Sequence, residues 1–312
     1  MIVLYAEKQD MGIKYAAALG GISYNGKLID IDNLAPYSKD IKRDLADKDG
    51  YIKTIYEGKE YIVTWGWGHF GKLFDVKDYH PEYKYWSDIP LPFFPEKFKV
   101  KRIEEKQEHF KKRNDRQMQV ITKLFNSPQC EYIINGTDWE REGELIFAYI
   151  YDLTGTNKPY VRLRSNAKTK KQIQKDFSKL VDSDENYPKV LAARARSIAD
   201  WTVGINMTIA ATRYLSDDGS MLNVGRVFTP TLKLIVDRED EINNYVEKES
   251  FGIQGEFTLP GGEKYIGKCD TLYDKETEAK DLMSSLNPKA HISSVTVKTE
   301  KKEPPLLHNT QS

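Results

Sequence analysis

An acidic turn between a short apolar run and a longer one constrains the fold of this chain more than any other feature. Residues 132–134 are apolar enough to form a buried strand, and residues 145–150 read as the body of a helix. Between them, Asp138, Glu140 and Glu142 occupy alternate positions. A strand that leads through a polar turn into a helix is typical of α/β folds, whose ligand sites lie at the carboxyl ends of the strands.

The spacing of these carboxylates suits a metal site. Alternate side chains of an extended segment point to the same side, and converging oxygen ligands are those that Mg²⁺ prefers. The sequence therefore predicts that Asp138, Glu140 and Glu142 hold a divalent cation. The alternative is an acidic first helical turn that is stabilised by the helix dipole, and this explanation serves Glu142 and Glu144 equally well.

A second strand-end acid lies near the start of the chain. Residues 2–5 predict a buried strand, which is followed by Glu7, Lys8 and a helix that ends at Gly20. Because both acidic groups end strands, we expect them to share one site. The alternative is a surface ion pair between Glu7 and Lys8, which would contribute little to stability.

The composition leaves room for two or three domains and gives no net charge. Of 312 residues, 39% are hydrophobic, and 47 basic side chains balance 47 acidic ones. A neutral nucleic-acid-binding protein must concentrate its cations in patches. Cys130 and Cys269 match no zinc-site spacing. No apolar run approaches the ~20 residues of a membrane span, and the chain opens with a predicted strand instead of a signal peptide. These observations predict a cytoplasmic protein with no membrane partner.

The acidic turn and four other blocks resemble one enzyme family. Asp-x-Glu-Arg-Glu-Gly-Glu at 138–144 is similar to the Asp-x-Asp-Arg-Glu-Gly-Glu signature of the Toprim domain in type IA DNA topoisomerases. Residues 1–8, 64–70, 193–208 and 222–232 resemble blocks of the topoisomerase III branch in the same order. The chain departs from the family pattern at Glu140 (usually Asp), Ile209 (Arg), Asn223 (Ser) and Phe228 (Gln).

The resemblance implies a fold class and a division into domains. It predicts an α/β Toprim (Rossmann-like) metal-binding domain over residues 1–155 and a mostly helical DNA-binding domain over residues 156–245. The start of a partial β gate domain, truncated by the end of the sequence, would occupy residues 246–312.

Residue periodicity predicts the elements within these domains. The patterns indicate a hairpin over 51–64, an amphipathic helix over 101–126, a strand over 160–164, helices over 188–215 and 232–242, and strands over 251–259, 264–269 and 290–298.

For the acidic site, the resemblance implies Mg²⁺ as the cofactor. Glu7, Asp138, Glu140 and Glu142 would be the metal ligands. The catalytic residues would be Glu7, which gives or takes a proton, and Lys8, which neutralises the charge of the scissile phosphate.

For single-stranded DNA, the resemblance implies contacts from His69, Arg194 and Thr208, and from a segment that comprises Asn223, Val224, Gly225, Arg226, Val227 and Phe228. An alternative role for His69 is a core imidazole, and residues 222–232 also satisfy an ordinary capped helix entry. The lysines at 168, 170, 171 and 175 could meet phosphate or simply cover a solvated helix face.

The function that the resemblance implies is cleavage of one DNA strand, passage of another and religation, with Mg²⁺ and a nucleophilic tyrosine in a Tyr-x-Arg-Thr context. None of the 19 tyrosines has that context. We therefore expect this chain to bind single-stranded DNA without relaxing supercoils, and a separate chain that carries the tyrosine would be its partner. The alternatives are a cleavage-incompetent single-stranded DNA-binding accessory protein, a Toprim-type nuclease and a non-catalytic remnant.

Overall fold

The chain forms two compact units. This computed structural model describes residues 1–165 and 169–296, and the units comprise Met1–Leu234 and Ile235–Ser312. The strands are β1 (Ile2–Ala6), β2 (Ile22–Tyr24), β3 (Lys27–Ile29), β4 (Tyr51–Tyr56), β5 (Lys59–Trp65), β6 (Gly71–Leu73), β7 (Val100–Arg102), β8 (Ile133–Gly136), β9 (Tyr160–Arg162), β10 (Val181–Asp182), β11 (Phe251–Thr258) and β12 (Lys264–Tyr273). The α-helices are α1 (Gln9–Leu19), α2 (Ser38–Ile41), α3 (Asp47–Asp49), α4 (Val76–Tyr79), α5 (Glu108–Phe125), α6 (Arg141–Thr154), α7 (Lys170–Phe177), α8 (Ser183–Leu215), α9 (Phe228–Asn243) and α10 (Glu276–Ser285).

A six-stranded sheet forms the centre of the first unit. Its strand order is β10-β9-β8-β1-β5-β4, with β9, β8, β1 and β5 parallel and the two edge strands antiparallel to their neighbours. The central strands β1 and β8 are buried at every residue, as expected of parallel strands that are covered on both faces. The carboxyl ends of β8, β1 and β5 therefore lie side by side along one edge of the sheet.

Helices cover both faces of this sheet. Leu4 packs in the same cluster as Ile13 of α1, whereas Tyr5 points to the opposite face and meets Phe125 of α5 and Phe147 of α6. This alternation is the two-residue period of a strand. The mixed α/β class with a largely parallel sheet is confirmed.

Helix α8 packs against two parts of the first unit. Ala193 of this helix joins Leu145 and Tyr149 of α6 in one apolar cluster. Ile209 joins Ile89 and Phe93, which lie between α4 and β7, in another. The helix begins earlier than predicted, at Ser183, where the carboxylate of Asp182 accepts a hydrogen bond from the Asp184 N–H at 3.1 Å.

In the second unit, β11 and β12 pair as an antiparallel hairpin, and α10 follows them. The turn contains Gly262 at φ +89°, a conformation that favours glycine. The third strand predicted at 290–298 is wrong over residues 290–296, which have no strand partner in the structure, and its last two residues lie outside the described ranges.

The helix predicted over 101–126 is too long at its start. It begins at Glu108, because Lys101 and Arg102 belong to β7 and pair with β6. Lys168 and the proline pair 304–305 lie outside the described residues, and the domain boundaries at 155 and 245 stay predictions. Within the described ranges, no helix is long and apolar enough to cross a membrane.

Candidate functional site

Two strand-end acids come together at the carboxyl edge of the sheet. Glu7 follows β1, and the acidic turn follows β8, its parallel neighbour. The Asp138 N–H donates to Oε2 of Glu7 at 3.4 Å, and Lys8 Nζ lies 3.4 Å from Oε1 of Glu7. The Glu7 residue is only 8% exposed, whereas the Lys8 side chain is 67% exposed. The structure thus brings Glu7, Lys8 and Asp138 to one place.

The acidic turn has a shape that requires a glycine. A Cβ on Gly143 would lie 2.1 Å from the backbone oxygen of Asp138, far inside any contact distance. Glu140 has extended backbone (φ −134°, ψ 170°), and α6 begins at the next residue, Arg141. Asp138 and Glu140 are exposed before the helix, whereas Glu142 lies in its first turn.

Beneath the turn lies a buried ion pair that sequence reasoning missed. Arg162 Nε donates to Oε1 of Glu144 at 2.7 Å, and the two side chains are 0% and 1% exposed. The Arg162 guanidinium also donates to the backbone carbonyls of Asn135, Thr137, Asp138 and Leu163. One cation therefore fixes the end of β8 and the first residue of the acidic turn.

Two further contacts complete this buried network. Asn186 of α8 donates to Oε2 of Glu144 at 2.9 Å, which ties the helix to the acidic turn. Tyr15 donates to the Gly136 carbonyl at 3.2 Å, and burial raises the pKa of this phenol. No sequence signal pointed to this network, because the alternation of Arg162 with Val161 and Leu163 predicts an arginine that faces outward.

A groove extends from the acidic turn toward α8. His69 Nε2 lies 2.6 Å from Oε1 of Glu142, with the imidazole 34% exposed. Next to this pair is a cavity of about 440 Å³ between β6, α6 and α8. Its charged lining comprises the basic side chains Lys72, Arg141 and Arg196 and the carboxylates Asp75, Glu142 and Asp200. Because three carboxylates balance the three basic side chains, the lining has no net positive charge, and the groove can contact a phosphate backbone only through its individual cations.

The acidic residues do not converge into a closed metal cage. Among the described residues, no group of three or more His, Cys, Asp or Glu side chains lies closely enough to hold a metal ion. Glu142 contacts His69, while the Glu7 carboxylate accepts a hydrogen bond from the backbone of Asp138. Mg²⁺ is commonly bound by one or two carboxylates plus waters and substrate phosphates, so a site that offers only Glu7 and Asp138 is compatible with the ion. The predicted ligand set with Glu140 and Glu142 stays a prediction.

The family model and the curated relatives that match this chain belong to the same family of proteins. A sequence model described as DNA topoisomerase matches residues 184–312. DNA topoisomerase 3 of Staphylococcus epidermidis is 39% identical over 203 residues, which is 65% of this chain and 26% of that protein. DNA topoisomerase 3 of Staphylococcus aureus (strain USA300) is 33% identical over 276 residues, which is 86% of this chain and 36% of that protein. The chain belongs to the type IA DNA topoisomerase family.

The fold comparison agrees with this membership. Full-length topoisomerase I from Thermotoga maritima matches with a TM-score of 0.50 and 20% identity, over 91% of this chain and 37% of that one. The chain spans about a quarter to a third of the length of the curated relatives that it matches.

Thr208 holds the segment at 222–228 through the backbone of that segment. The Thr208 hydroxyl accepts from the Val224 N–H at 2.9 Å and donates to the Val224 carbonyl at 3.3 Å. Gly225 in turn donates its N–H to Oγ1 of Thr229 at 3.0 Å, at the start of α9. The contacts given for Thr208 are thus structural, while Asn223, Val227 and Phe228 are exposed.

The two arginines assigned to DNA already have carboxylate partners. Arg226 Nε lies 2.5 Å from Oδ1 of Asp200, and this hydrogen bond lowers the pKa of Asp200. Arg194 binds Asp152 with two nitrogens, at 2.7 and 2.9 Å. Arg226 remains half exposed at the rim of the groove, whereas Arg194 contacts α6 below it.

Proposed function

We propose that this chain forms the metal- and DNA-binding part of a type IA topoisomerase of the topoisomerase III kind. In the whole protein, the activity would be Mg²⁺-dependent cleavage of a single DNA strand, strand passage and religation. The chain itself would bind single-stranded DNA without relaxing supercoils. In this proposal, residues 1–155 are the Toprim domain, 156–245 the helical DNA-binding domain and 246–312 the start of the gate domain.

The observation that supports the proposal best is the meeting of Glu7 with the acidic turn. The 3.4 Å contact from the Asp138 N–H to Glu7 spans two parallel strands, β1 and β8, whose carboxyl ends form the expected ligand edge. Lys8 lies beside this pair, and the groove begins at the His69–Glu142 contact.

Each residue at the site would have a distinct task. Glu7 and Asp138, together with phosphate oxygens, would hold Mg²⁺, which supplies positive charge to the phosphate when it is bound. Lys8 would balance the charge of the phosphate from its exposed position, and Glu7 would exchange a proton with the reacting oxygen. His69 and Arg226 would position the strand on either side of the groove.

Direct binding measurements test the first part of this proposal. A fluorescently labelled single-stranded oligonucleotide should bind the chain, and its affinity should fall as salt rises. Lys8→Gln should weaken binding. Lys14→Gln, in helix α1 that begins directly after Lys8, is the control and should leave binding unchanged. An affinity for single strands no greater than that of an unrelated neutral protein would disprove DNA binding by this chain.

A gel assay tests the second part. Negatively supercoiled plasmid incubated with the chain and Mg²⁺ should remain supercoiled, because no tyrosine has the Tyr-x-Arg-Thr context. Addition of a chain that carries such a tyrosine half should restore relaxation. Nicked plasmid that carries no covalently attached protein would instead identify a Toprim-type nuclease.

A further inference from the structure

A second cavity lies one strand away from the acidic site, and its lining is basic. It has a volume of about 550 Å³ and is flanked by the start of α1, the residues after β5 and the first half of α5. Its basic lining residues are Lys42, Lys112, Arg113 and Arg116, with the imidazole of His109 beside them, and Asp47 is the one acidic side chain among its lining residues.

Two residues that line this cavity each have a buried polar atom without a partner among the described residues. Gln9 is 2% exposed, and its Nε2 donates to Oδ1 of Asp47 at 2.7 Å, which leaves Oε1 without a donor. Trp67 Nε1 is likewise buried and without an acceptor. Because an unpaired buried polar atom is unfavourable, a ligand that supplies both partners would be favoured.

The cations of the cavity differ in how far they are already neutralised. Lys42 pairs with Asp10 at 3.4 Å, and Lys112 pairs with Glu108 at 3.7 Å. Within the described part of the chain, Arg113 has no salt bridge, and its guanidinium lies over the Trp67 ring at 4.4 Å. Arg116 donates only to the backbone oxygen of Asp47, at 3.0 Å. Arg113 and Arg116 therefore keep positive charge available for an anion.

We infer that this cavity binds a nucleotide unit, with the phosphate on Arg113 and Arg116. An inorganic phosphate would also meet the two arginines and Trp67 Nε1, and its P–OH group could donate to Gln9 Oε1, but it would fill only a small part of the cavity of about 550 Å³. In a nucleotide, a base amino group or a sugar hydroxyl supplies that donor and the nucleoside occupies the remaining volume, so the cavity takes a phosphate together with its nucleoside.

The position of the cavity connects it to the acidic site, and this step rests on the proposed function. Lys8 and Trp67 pair as an isolated antiparallel bridge, and the Gly68 N–H donates to the Glu7 carbonyl at 3.5 Å. Lys8, which follows Glu7, is therefore paired with Trp67, a residue that lines the cavity. A DNA strand whose phosphate lies at Lys8 would place a neighbouring nucleotide in the cavity, and a free nucleotide offers the same chemistry.

The test compares two ligands on the full chain. The variant Arg113→Gln/Arg116→Gln should bind a single-stranded oligonucleotide about tenfold more weakly than wild type. The slope of log affinity against log salt should fall by about 0.7 for each lost phosphate contact. Trp67→Phe keeps a ring beneath Arg113 but removes the Nε1 donor, and it should weaken binding about two- to tenfold. Lys111→Gln, on the same helix but outside the cavity lining, is the matched control and should change neither quantity.

Calorimetry with deoxyadenosine monophosphate distinguishes the two sources of the nucleotide. Loss of oligonucleotide affinity in the double variant identifies the DNA strand as the ligand. Unchanged oligonucleotide binding with loss of mononucleotide binding identifies a free nucleotide. If neither ligand distinguishes the double variant from wild type, or if inorganic phosphate binds as tightly as the mononucleotide, the inference is wrong.

A wild-type chain that binds no oligonucleotide refutes the proposed function, while the mononucleotide measurement still decides whether the cavity binds a nucleotide. Arg113→Gln alone, which removes no hydrogen bond, and circular dichroism of every variant separate lost binding from lost folding.

Discussion

Arg162 is the residue on which the shape of the acidic turn most depends. It pairs with Glu144 while fully buried, and it donates to four backbone carbonyls around the end of β8. Removal of one partner of a buried pair leaves an uncompensated charge. The position of Asp138 therefore depends on a side chain that does not itself face the groove.

We predict that Arg162→Met lowers the free energy of unfolding by about 3–5 kcal/mol, as measured by urea denaturation. The double variant Arg162→Met/Glu144→Met should recover only part of this loss, because the carbonyls still lack donors. Arg164→Gln, which breaks a pair with the largely exposed Glu185, should cost at most about 1 kcal/mol. Full recovery in the double variant would show that the carbonyl contacts contribute nothing.

A second prediction concerns Gly143. Gly143→Ala places a methyl group against the Asp138 carbonyl and should force the turn open, with a cost of about 1–3 kcal/mol and weaker oligonucleotide binding. Gly204→Ala is the control, because its Cβ would meet only the Val224 oxygen at 3.8 Å and alanine favours the helix. Equal stability of the two variants would contradict the tight packing of the turn.

Sequence reasoning located the acids but not the residues that hold them. Glu7 and Asp138 were predictable because both follow apolar runs that could only be buried strands. Arg162 was not, because its alternation with Val161 and Leu163 predicts that it faces outward, whereas it is fully buried. Ile209, in a position where the family usually has arginine, is fully buried against Phe93. That departure therefore removes no exposed cation from this groove.

At the scale of elements, α8 and the segment at 222–228 form one structural part. The hydroxyl of Thr208 binds both backbone groups of Val224, so the helix and the segment are joined at that point. Asn206 makes a similar pair of hydrogen bonds to the Phe93 backbone, at 2.6 and 3.0 Å. One helix thus fixes two irregular segments on its two sides.

Thr208→Val should lower the free energy of unfolding by about 1–3 kcal/mol in the absence of DNA, because the Val224 N–H loses its acceptor. Thr208→Ser keeps the hydroxyl and should restore most of the stability. Urea denaturation without oligonucleotide measures this structural role, which a residue that only contacts DNA would not show. Wild-type stability of the valine variant would assign Thr208 to DNA contact alone.

The elements that the sequence mispredicted share one physical cause. The amphipathic period of α5 continues upstream of Glu108, but the backbone at Lys101 and Arg102 finds hydrogen-bond partners in β6. Residues 290–296 have a β-type pattern but no pairing strand. Local periodicity describes side-chain preference, whereas a strand exists only where a distant segment supplies its partner.

At the scale of the whole molecule, ion pairs make the stability of the first unit depend on pH. Hydrogen bonds from Lys170, from the N-terminal amine and from Arg226 lower the pKa of Asp30, Glu131 and Asp200, respectively. A lowered carboxyl pKa adds stability above the unfolded value of about 4, and this stability is lost as the pH falls through the folded value.

We therefore expect the urea midpoint to fall between about pH 6 and about pH 3. Asp30→Asn should reduce this pH dependence, because it removes the ion pair with Lys170 at 3.0 Å. Asp32→Asn, two residues away and without a salt bridge in the described ranges, should leave it unchanged. A midpoint that is constant over this pH range would mean that these pairs contribute no net stability.

The Asp200–Arg226 contact has a consequence for selectivity among polyanions. A strand that approaches Arg226 must displace a carboxylate that already neutralises it, so binding there is an exchange of partners and not a gain of a new one. Such an exchange releases few counterions. It favours ligands that form hydrogen bonds of better geometry with Arg226 than Asp200 does. Polyanions that offer charge density alone, such as heparin, should compete poorly at this end of the groove.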